Sequence, residues 1–149
     1  MDGNQIVIRL FHLLGAAIIL GGSVYSFFVT RRVLPMVAEA DREAIREATR
    51  KRWAGLFMLG ITLLLVTGLY TYMVYKIPQH KGQGSYHGVM GVKIVLAMVI
   101  FFVGSALAGR SPAFARLRAN AGLWQLLNIT LGIVVIALAG IAHGVPTTP

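Results

Sequence analysis

The sequence contains no cysteine. This absence excludes disulfide bonds, thiolate metal sites and catalysis by a cysteine nucleophile. Acidic residues are also scarce, since five Asp and Glu residues stand against 14 Lys and Arg. All five lie outside the long apolar stretches, at Asp2 and between Glu39 and Glu47. The pattern argues against a carboxylate relay for protons or cations through the membrane, so any redox chemistry would have to come from a cofactor.

Charged residues make up only 13% of the chain and hydrophobic residues 56%, whereas soluble domains carry about 25% charge. Four apolar stretches run approximately over residues 6–29, 54–75, 88–108 and 123–142. Each has about the 20 residues that a helix needs to cross a bilayer. The first lacks a basic segment before it, so it is expected to be a retained span and not a cleaved signal peptide. The sequence therefore predicts one all-α domain over residues 1–149, an integral membrane four-helix bundle.

The basic residues predict the orientation of this bundle. Ten of the 14 lie between the first and second or the third and fourth stretches, at Arg31, Arg32, Arg42, Arg46, Arg50, Lys51, Arg52, Arg110, Arg116 and Arg118. By the positive-inside rule these loops are cytoplasmic, and both termini lie outside. We therefore expect an N-out/C-out protein of the bacterial inner membrane. Because the charge sits in loops between spans, it favours membrane topology over nucleic-acid binding.

Two features of the first basic loop predict its local structure. Pro35 should end or kink the first helix. The polar run from Glu39 to Arg52 should begin the second helix, where Glu47 can pair with Lys51. The run is expected to be a solvated face, with contact to anionic lipid or a partner subunit as the alternative.

Three of the four histidines belong to different predicted helices. His12 lies about two turns into the first, His87 begins the third and His143 ends the fourth. The topology brings all three to the outer end of the bundle. Because an imidazole near hydrocarbon is costly unless it is paired or ligated, we expect a shared metal or cofactor site. Hydrogen-bonded interfacial histidines are the alternative. His80, beside Lys81 in the outer loop, is expected to be solvated.

Cations and small residues surround this predicted site. Arg9 lies one turn before His12, and Lys93 lies within the third stretch. Either could pair with haem propionates, or its charge could extend to the lipid headgroups. Gly15 and Gly22 follow His12 on its helix face. Such small residues either leave space for a cofactor or allow helices to pack closely.

Two segments carry a family resemblance. The first stretch contains Arg9-Leu-Phe-His12-Leu-Leu-Gly-Ala-Ala, followed by Gly21-Gly22, Phe27-Phe28-Val29, a basic pair and Pro35. It resembles the first span of small CopD-like membrane proteins, a group that includes the HemJ-type protoporphyrinogen oxidases. The segment His87-Gly-Val-Met-Gly-Val-Lys93 is similar to the opening of their third span.

The resemblance covers most of the chain and implies bound b-haem. His12 and Lys93 match the histidine and lysine that are associated with haem and function in HemJ-type proteins. Six residues separate His87 from Lys93, a wider spacing than in the oxidase pattern, so the resemblance implies haem more than oxidase activity. Its copper branch implies copper import or tolerance at the periplasmic face.

Three functions remain open from the sequence. In the first, His12 and either His87 or His143 ligate b-haem in an electron-transfer protein that meets a redox partner. In the second, the histidines join Met73 and Met90 in a copper site, since imidazole and thioether suit copper. In the third, the chain is a structural subunit of a larger membrane complex and holds no cofactor. Membrane lipid surrounds the protein in all three.

Overall fold

The fold consists of four long helices joined by short connections. A computed structural model describes residues 3–146. The helices are α1 (Gly3–Met36), α2 (Glu39–Gln79), α3 (Gly84–Ala108) and α4 (Ala121–His143). The α3–α4 connection contains a short helix, Ala115–Ala119. Each long helix is apolar and long enough to cross a membrane. The predicted all-α class and its four apolar helices are confirmed.

Consecutive helices are neighbours in the bundle. The most extensive packing joins α1 to α2 and α3 to α4, and the contacts between α2 and α3 and between α1 and α4 complete the bundle. The histidines therefore lie towards one end, which we call the histidine end. The ten basic residues of the two predicted cytoplasmic loops lie at the opposite end, which we call the basic end. They are on the end of α1, on the first turns of α2 and in the α3–α4 connection.

Aromatic side chains and glycines interlock in the half of the bundle nearer the basic end. Phe57 is 1% exposed, and its ring lies 5.6 Å from that of Trp53. A Cβ added at Gly104 would overlap the ring of Phe57, and one at Gly22 would overlap Trp53. These glycines therefore give the two rings room to pack. The core cluster around them comprises Ile19, Phe57, Ile61, Ile100 and Phe101.

Helices α1 and α2 approach most closely where glycines face each other. A Cβ at Gly15 would lie 3.0 Å from the carbonyl oxygen of Gly60, and one at Gly60 would lie 2.8 Å from Ile19. The small residues that follow His12 on α1 were expected either to leave space for a cofactor or to allow close helix packing. The contact between Gly15 and Gly60, and that between Gly22 and the Trp53 ring, decide between these explanations. At Gly15 and Gly22 they serve close helix packing and leave no space for a cofactor.

Large apolar side chains cover the outside of all four helices. Leu10, Val66, Val95 and Leu123 are 60%, 63%, 62% and 69% exposed on α1, α2, α3 and α4 respectively. Soluble proteins rarely present apolar surface of this extent, whereas lipid tails solvate it well. The surface is therefore compatible with a bundle that lies in a membrane.

Arginines satisfy carbonyl groups at the basic end, where α1 and α3 end. Helix α1 ends at Met36, directly after Pro35, as predicted. Arg42 donates to the carbonyls of Pro35 and Val37, and Arg50 donates to that of Ala108 at 2.8 Å. The last carbonyls of a helix lack partners within the helix and carry partial negative charge. These guanidinium groups therefore cap both helices.

The ion pairs of α2 differ in part from the prediction. Helix α2 begins at Glu39, within the polar run, as expected. Glu47, however, pairs with Arg50 at 2.8 Å and with Arg110, not with Lys51. Because Arg110 follows α3, its ion pair with Glu47 joins α2 to the end of α3. A pair between Glu47 and Lys51 would have joined only two turns of α2.

The connection at the histidine end is ordered by a buried histidine, so the expectation that His80 is solvated is wrong. His80 is 2% exposed, and its ring stacks on that of Tyr86 with centroids 3.6 Å apart. Its Nδ1 and the Gln83 Oε1 lie 2.7 Å apart, and the Gln83 amide donates to the carbonyl of Pro146. Gly82 provides the turn with a φ of +79°, which glycine adopts without strain. The connection is thereby fastened to the end of α4.

Candidate functional site

Two adjoining cavities extend from the histidine end of the bundle into its middle. The deep cavity, of about 300 Å³, lies among all four helices and reaches Asn128 in the middle of the bundle. The end cavity, of about 400 Å³, reaches Gln5 and His143. Both volumes are in the range of small-molecule sites. The residues that line both cavities are His12, Gly68, Met90, Lys93 and Ala139. His12 thus lies at their junction.

The hydrogen bonds around His12 assign its tautomer. The Thr67 hydroxyl donates its one proton to the carbonyl of Leu63, four residues earlier in α2. The Thr67 oxygen lies 2.9 Å from His12 Nδ1, so it must accept a proton from that nitrogen. Nδ1 therefore carries the proton in the neutral ring, and Nε2 keeps its lone pair. A hydrogen bond of this kind to the other ring nitrogen is typical of metal-ligating histidines.

Gly68 provides the space that the His12 ring occupies. A Cβ at position 68 would lie 3.2 Å from Cε1 of His12, closer than ordinary van der Waals contact. A π-helical segment, Thr71–Lys76, follows directly in α2. Such segments alter the helical register and often occur at functional sites. Here the segment contributes Tyr72 to the deep cavity and Lys76 to the end cavity.

Cationic side chains converge on the end cavity. Arg9 from α1, Lys76 from α2 and Lys93 from α3 line it, together with the two histidines His12 and His143. No acidic residue is among its lining residues in the described chain. The end cavity therefore suits a ligand that carries negative charge, and the deep cavity suits the apolar part of the same or another ligand.

The structure brings together four of the five predicted site residues. His12, His143, Arg9 and Lys93 all line the end cavity. His87 lies apart, because its Nε2 donates to the carbonyl of His80 at 3.1 Å. With that proton on Nε2, Nδ1 accepts from the Tyr72 hydroxyl at 3.0 Å. Both nitrogens of His87 are thus used in hydrogen bonds, and neither is free to ligate in this arrangement.

The residues expected in a copper site are dispersed. Met90 lines both cavities, but Met73 is 64% exposed on the outside of the bundle. Within residues 3–146, no three histidine or carboxylate side chains form a group that could hold a metal ion. Among the described residues, His12 and His143 therefore line the end cavity without a cluster of other metal-ligating side chains.

Thr67 and Gly68 were not singled out by sequence reasoning. The available signal was the dipeptide Thr67-Gly68 within an otherwise apolar span. A threonine there can bond its own helix and still accept a second hydrogen bond, and a glycine admits a ring from a neighbouring helix. Neither pattern identifies its partner, because the partner lies 55 residues away on α1.

Comparison with known proteins identifies no relative. No protein-family model matches the chain, and no curated protein or solved structure matches it either.

Proposed function

We propose that the protein is a four-span membrane protein that binds b-haem through Nε2 of His12 and functions in one-electron transfer. The observation that carries this proposal is the orientation of His12 by Thr67. The bond to Nδ1 leaves Nε2 as the ring nitrogen that can ligate, on a residue that lines both cavities. A histidine held through its second nitrogen in a bundle core is a common way to bind such a cofactor.

The residues around His12 fit the parts of a haem. The deep cavity is lined almost wholly by apolar side chains, which suit a porphyrin ring. Arg9 and Lys93 at the end cavity suit its propionates. His143 lines that same cavity and is the candidate for a second histidine that would hold the haem. When bound, haem supplies one-electron chemistry, while the helices orient the ligand and limit access by water.

The other two functions have less support from the arrangement. A copper site needs several ligands close together, and His87 and Met73 do not reach the cavities that contain His12. A purely structural subunit has no need for adjoining cavities with cationic walls. We therefore retain both only as outcomes of the following experiment.

The absorption spectrum of the protein purified from its membrane tests the proposal. We expect a Soret band and sharp α and β bands after reduction with dithionite, at about one haem per chain. Bound copper without these bands would select the copper function. A preparation that is colourless, free of metal and unable to bind added haem would contradict the proposal and favour the structural subunit.

We also propose that the histidine end faces the outside of a bacterial inner membrane and the basic end the cytoplasm. The support is the separation of ten loop Lys and Arg residues from the other four, as the positive-inside rule requires. We expect alkaline phosphatase fused after Pro149 to be active and a cytoplasmic reporter at the same site to be inactive. The opposite pair of activities would reverse the orientation and move the haem site to the cytoplasmic side.

A further inference from the structure

Half of the ten cations at the basic end have no partner within the protein. Arg46, Arg50 and Arg110 pair with glutamates. Arg42 and Arg118 donate to backbone carbonyls. Within residues 3–146 the other five form no hydrogen bond or ion pair and are all exposed, and we call them the unpaired cations: Arg31, Arg32, Lys51, Arg52 and Arg116. Their charge is left for an anion from outside the chain.

The acidic residues of α2 do not compensate this charge. Glu43 and Glu47 pair with other arginines, while Glu39 and Asp41 lie in the first turn of the helix. Lys51 is ten residues beyond Asp41, which corresponds to about 15 Å along the helix. Exposed charges at that separation are largely screened from each other.

The unpaired cations border the apolar part of the bundle. Arg31 follows the first apolar stretch by two residues, and Arg52 precedes the second by two. With the apolar surface in hydrocarbon, both side chains lie at the level of the lipid headgroups. Anionic headgroups attract Lys and Arg that stand directly beside a span. A lipid therefore fits this position better than a soluble anion does.

Contacts with two helices orient the guanidinium of Arg31. It lies over the ring of Phe27 on α1, 5.7 Å from the ring centroid. A Cβ added at Gly122 would overlap it, so this glycine provides the room that the guanidinium occupies beside α4. Gln125 donates to the Ser26 hydroxyl between the same two helices. Arg31 is thus held in place and still exposed, which suits two parallel hydrogen bonds to one phosphate.

We propose that the basic end binds anionic phospholipid, with one headgroup phosphate at Arg31 and the other unpaired cations attracting further lipids of the same charge. Leu123, one residue after Gly122, is 69% exposed and suits an acyl chain of the bound lipid. The proposal rests on the proposed membrane location. It depends neither on haem nor on which end faces the cytoplasm, because it concerns the end of the bundle away from His12.

Fluorescence quenching of the two tryptophans by brominated lipid tests the site. Trp53 directly follows Arg52, and Trp124 lies two residues after Gly122, so both report on lipid at the basic end. The full chain is reconstituted in mixtures of phosphatidylglycerol and phosphatidylcholine, with bromine on the acyl chains of either lipid. We expect phosphatidylglycerol to be preferred at least about fivefold at low salt, the ratio that about 1 kcal/mol provides. In about 1 M NaCl the preference should fall to about twofold or less.

Substitutions then locate the preference. Arg31→Gln combined with Arg32→Gln should reduce it to about twofold or less, because the oriented guanidinium and its neighbour are lost. Arg46→Gln is the matched control, since it removes the same charge from an exposed position at the same end, but one that Glu43 already pairs at 3.1 Å. It should keep the preference. If the first variant fails to fold, Lys51→Gln combined with Arg52→Gln should lower the preference at least about twofold.

Four results would overturn the proposal. Equal quenching by the two lipids at low salt is the first, and an equal loss of preference in Arg46→Gln is the second, since total charge alone would then explain it. The third is a preference that inorganic phosphate abolishes at an ionic strength where NaCl does not, which would assign the cations to a soluble anion. A chain that does not enter the vesicles would contradict the membrane location as well. Absence of haem from a preparation that keeps the lipid preference would contradict the haem proposal alone.

Discussion

Replacing His12 by alanine is expected to lower the haem content of the purified protein at least about tenfold, since loss of supporting groups alone weakens metal sites by that factor. The substitution removes the imidazole that lines both cavities and that bonds to Thr67 through Nδ1. The bundle should remain folded, because His12 does not belong to the buried core cluster. The ratio of Soret absorbance to protein, with helicity by circular dichroism, measures both effects.

His87→Ala provides the matched control for this loss. Both nitrogens of His87 bond to protein atoms, so its removal should leave haem content within about twofold of the unmodified level. His143→Ala should keep haem but alter the spectrum, because it removes the candidate second ligand. Full haem content after His12→Ala, with an unchanged spectrum, would exclude His12 as a ligand. Loss of haem only after His87→Ala would assign the ligand to His87 instead of His12.

Thr67→Val is expected to weaken haem binding by about 10-fold to 100-fold, the range found for groups that orient metal ligands. Valine keeps the size and branching of threonine but offers no acceptor to His12 Nδ1. The imidazole then loses the bond that fixes its tautomer and its ring plane. The dissociation constant, from titration of haem into the haem-free protein in nanodiscs, measures the effect.

Thr62→Val controls for the loss of a threonine hydroxyl from α2. Thr62 donates to the carbonyl of Met58 four residues earlier, as Thr67 does to Leu63, but it is exposed. We expect Thr62→Val to leave the haem dissociation constant unchanged. Equal weakening by both substitutions would show that the effect arises from the helix and not from His12.

The four helices could be predicted because crossing a membrane would impose two simple requirements on a segment. A segment in hydrocarbon must satisfy its backbone within itself and present apolar side chains, and both requirements appear as composition over about 20 residues. Pro35 and Glu39 also identified the ends of α1 and α2, because proline and terminal charge act locally. The extent of α2 beyond its apolar stretch was underestimated, since the helix continues to Gln79.

Contacts between distant segments were not predictable in the same way. His80 has polar neighbours in sequence, yet it is buried. Its ring stacks on Tyr86, and Gln83 beside it donates a hydrogen bond to the carbonyl of Pro146. Glu47 had several arginine and lysine partners within reach on its own helix. The choice of Arg50 and Arg110 depends on where α3 ends. Composition and helical spacing contain no information on such placements.

The sequence predicted at which end of the helices the candidate site lies, but not which atoms form it. The topology predicted that His12 and His143 lie at the same end, and both line the end cavity. It could not tell which nitrogen of His12 would be free, because that depends on Thr67. Nor could it tell that His87 would be engaged by Tyr72 and His80.

The uneven distribution of packing gives the bundle a gradient of mechanical compliance. Around Gly22 and Gly104 the aromatic rings fill the space between helices, so this half resists deformation as close-packed interiors do. Towards His12 the cavities leave room for the same helices to flex. Hydrostatic pressure acts on internal voids and should therefore compress the histidine end first. The bundle is therefore expected to be stiffer at the arginine-capped basic end than at the histidine end.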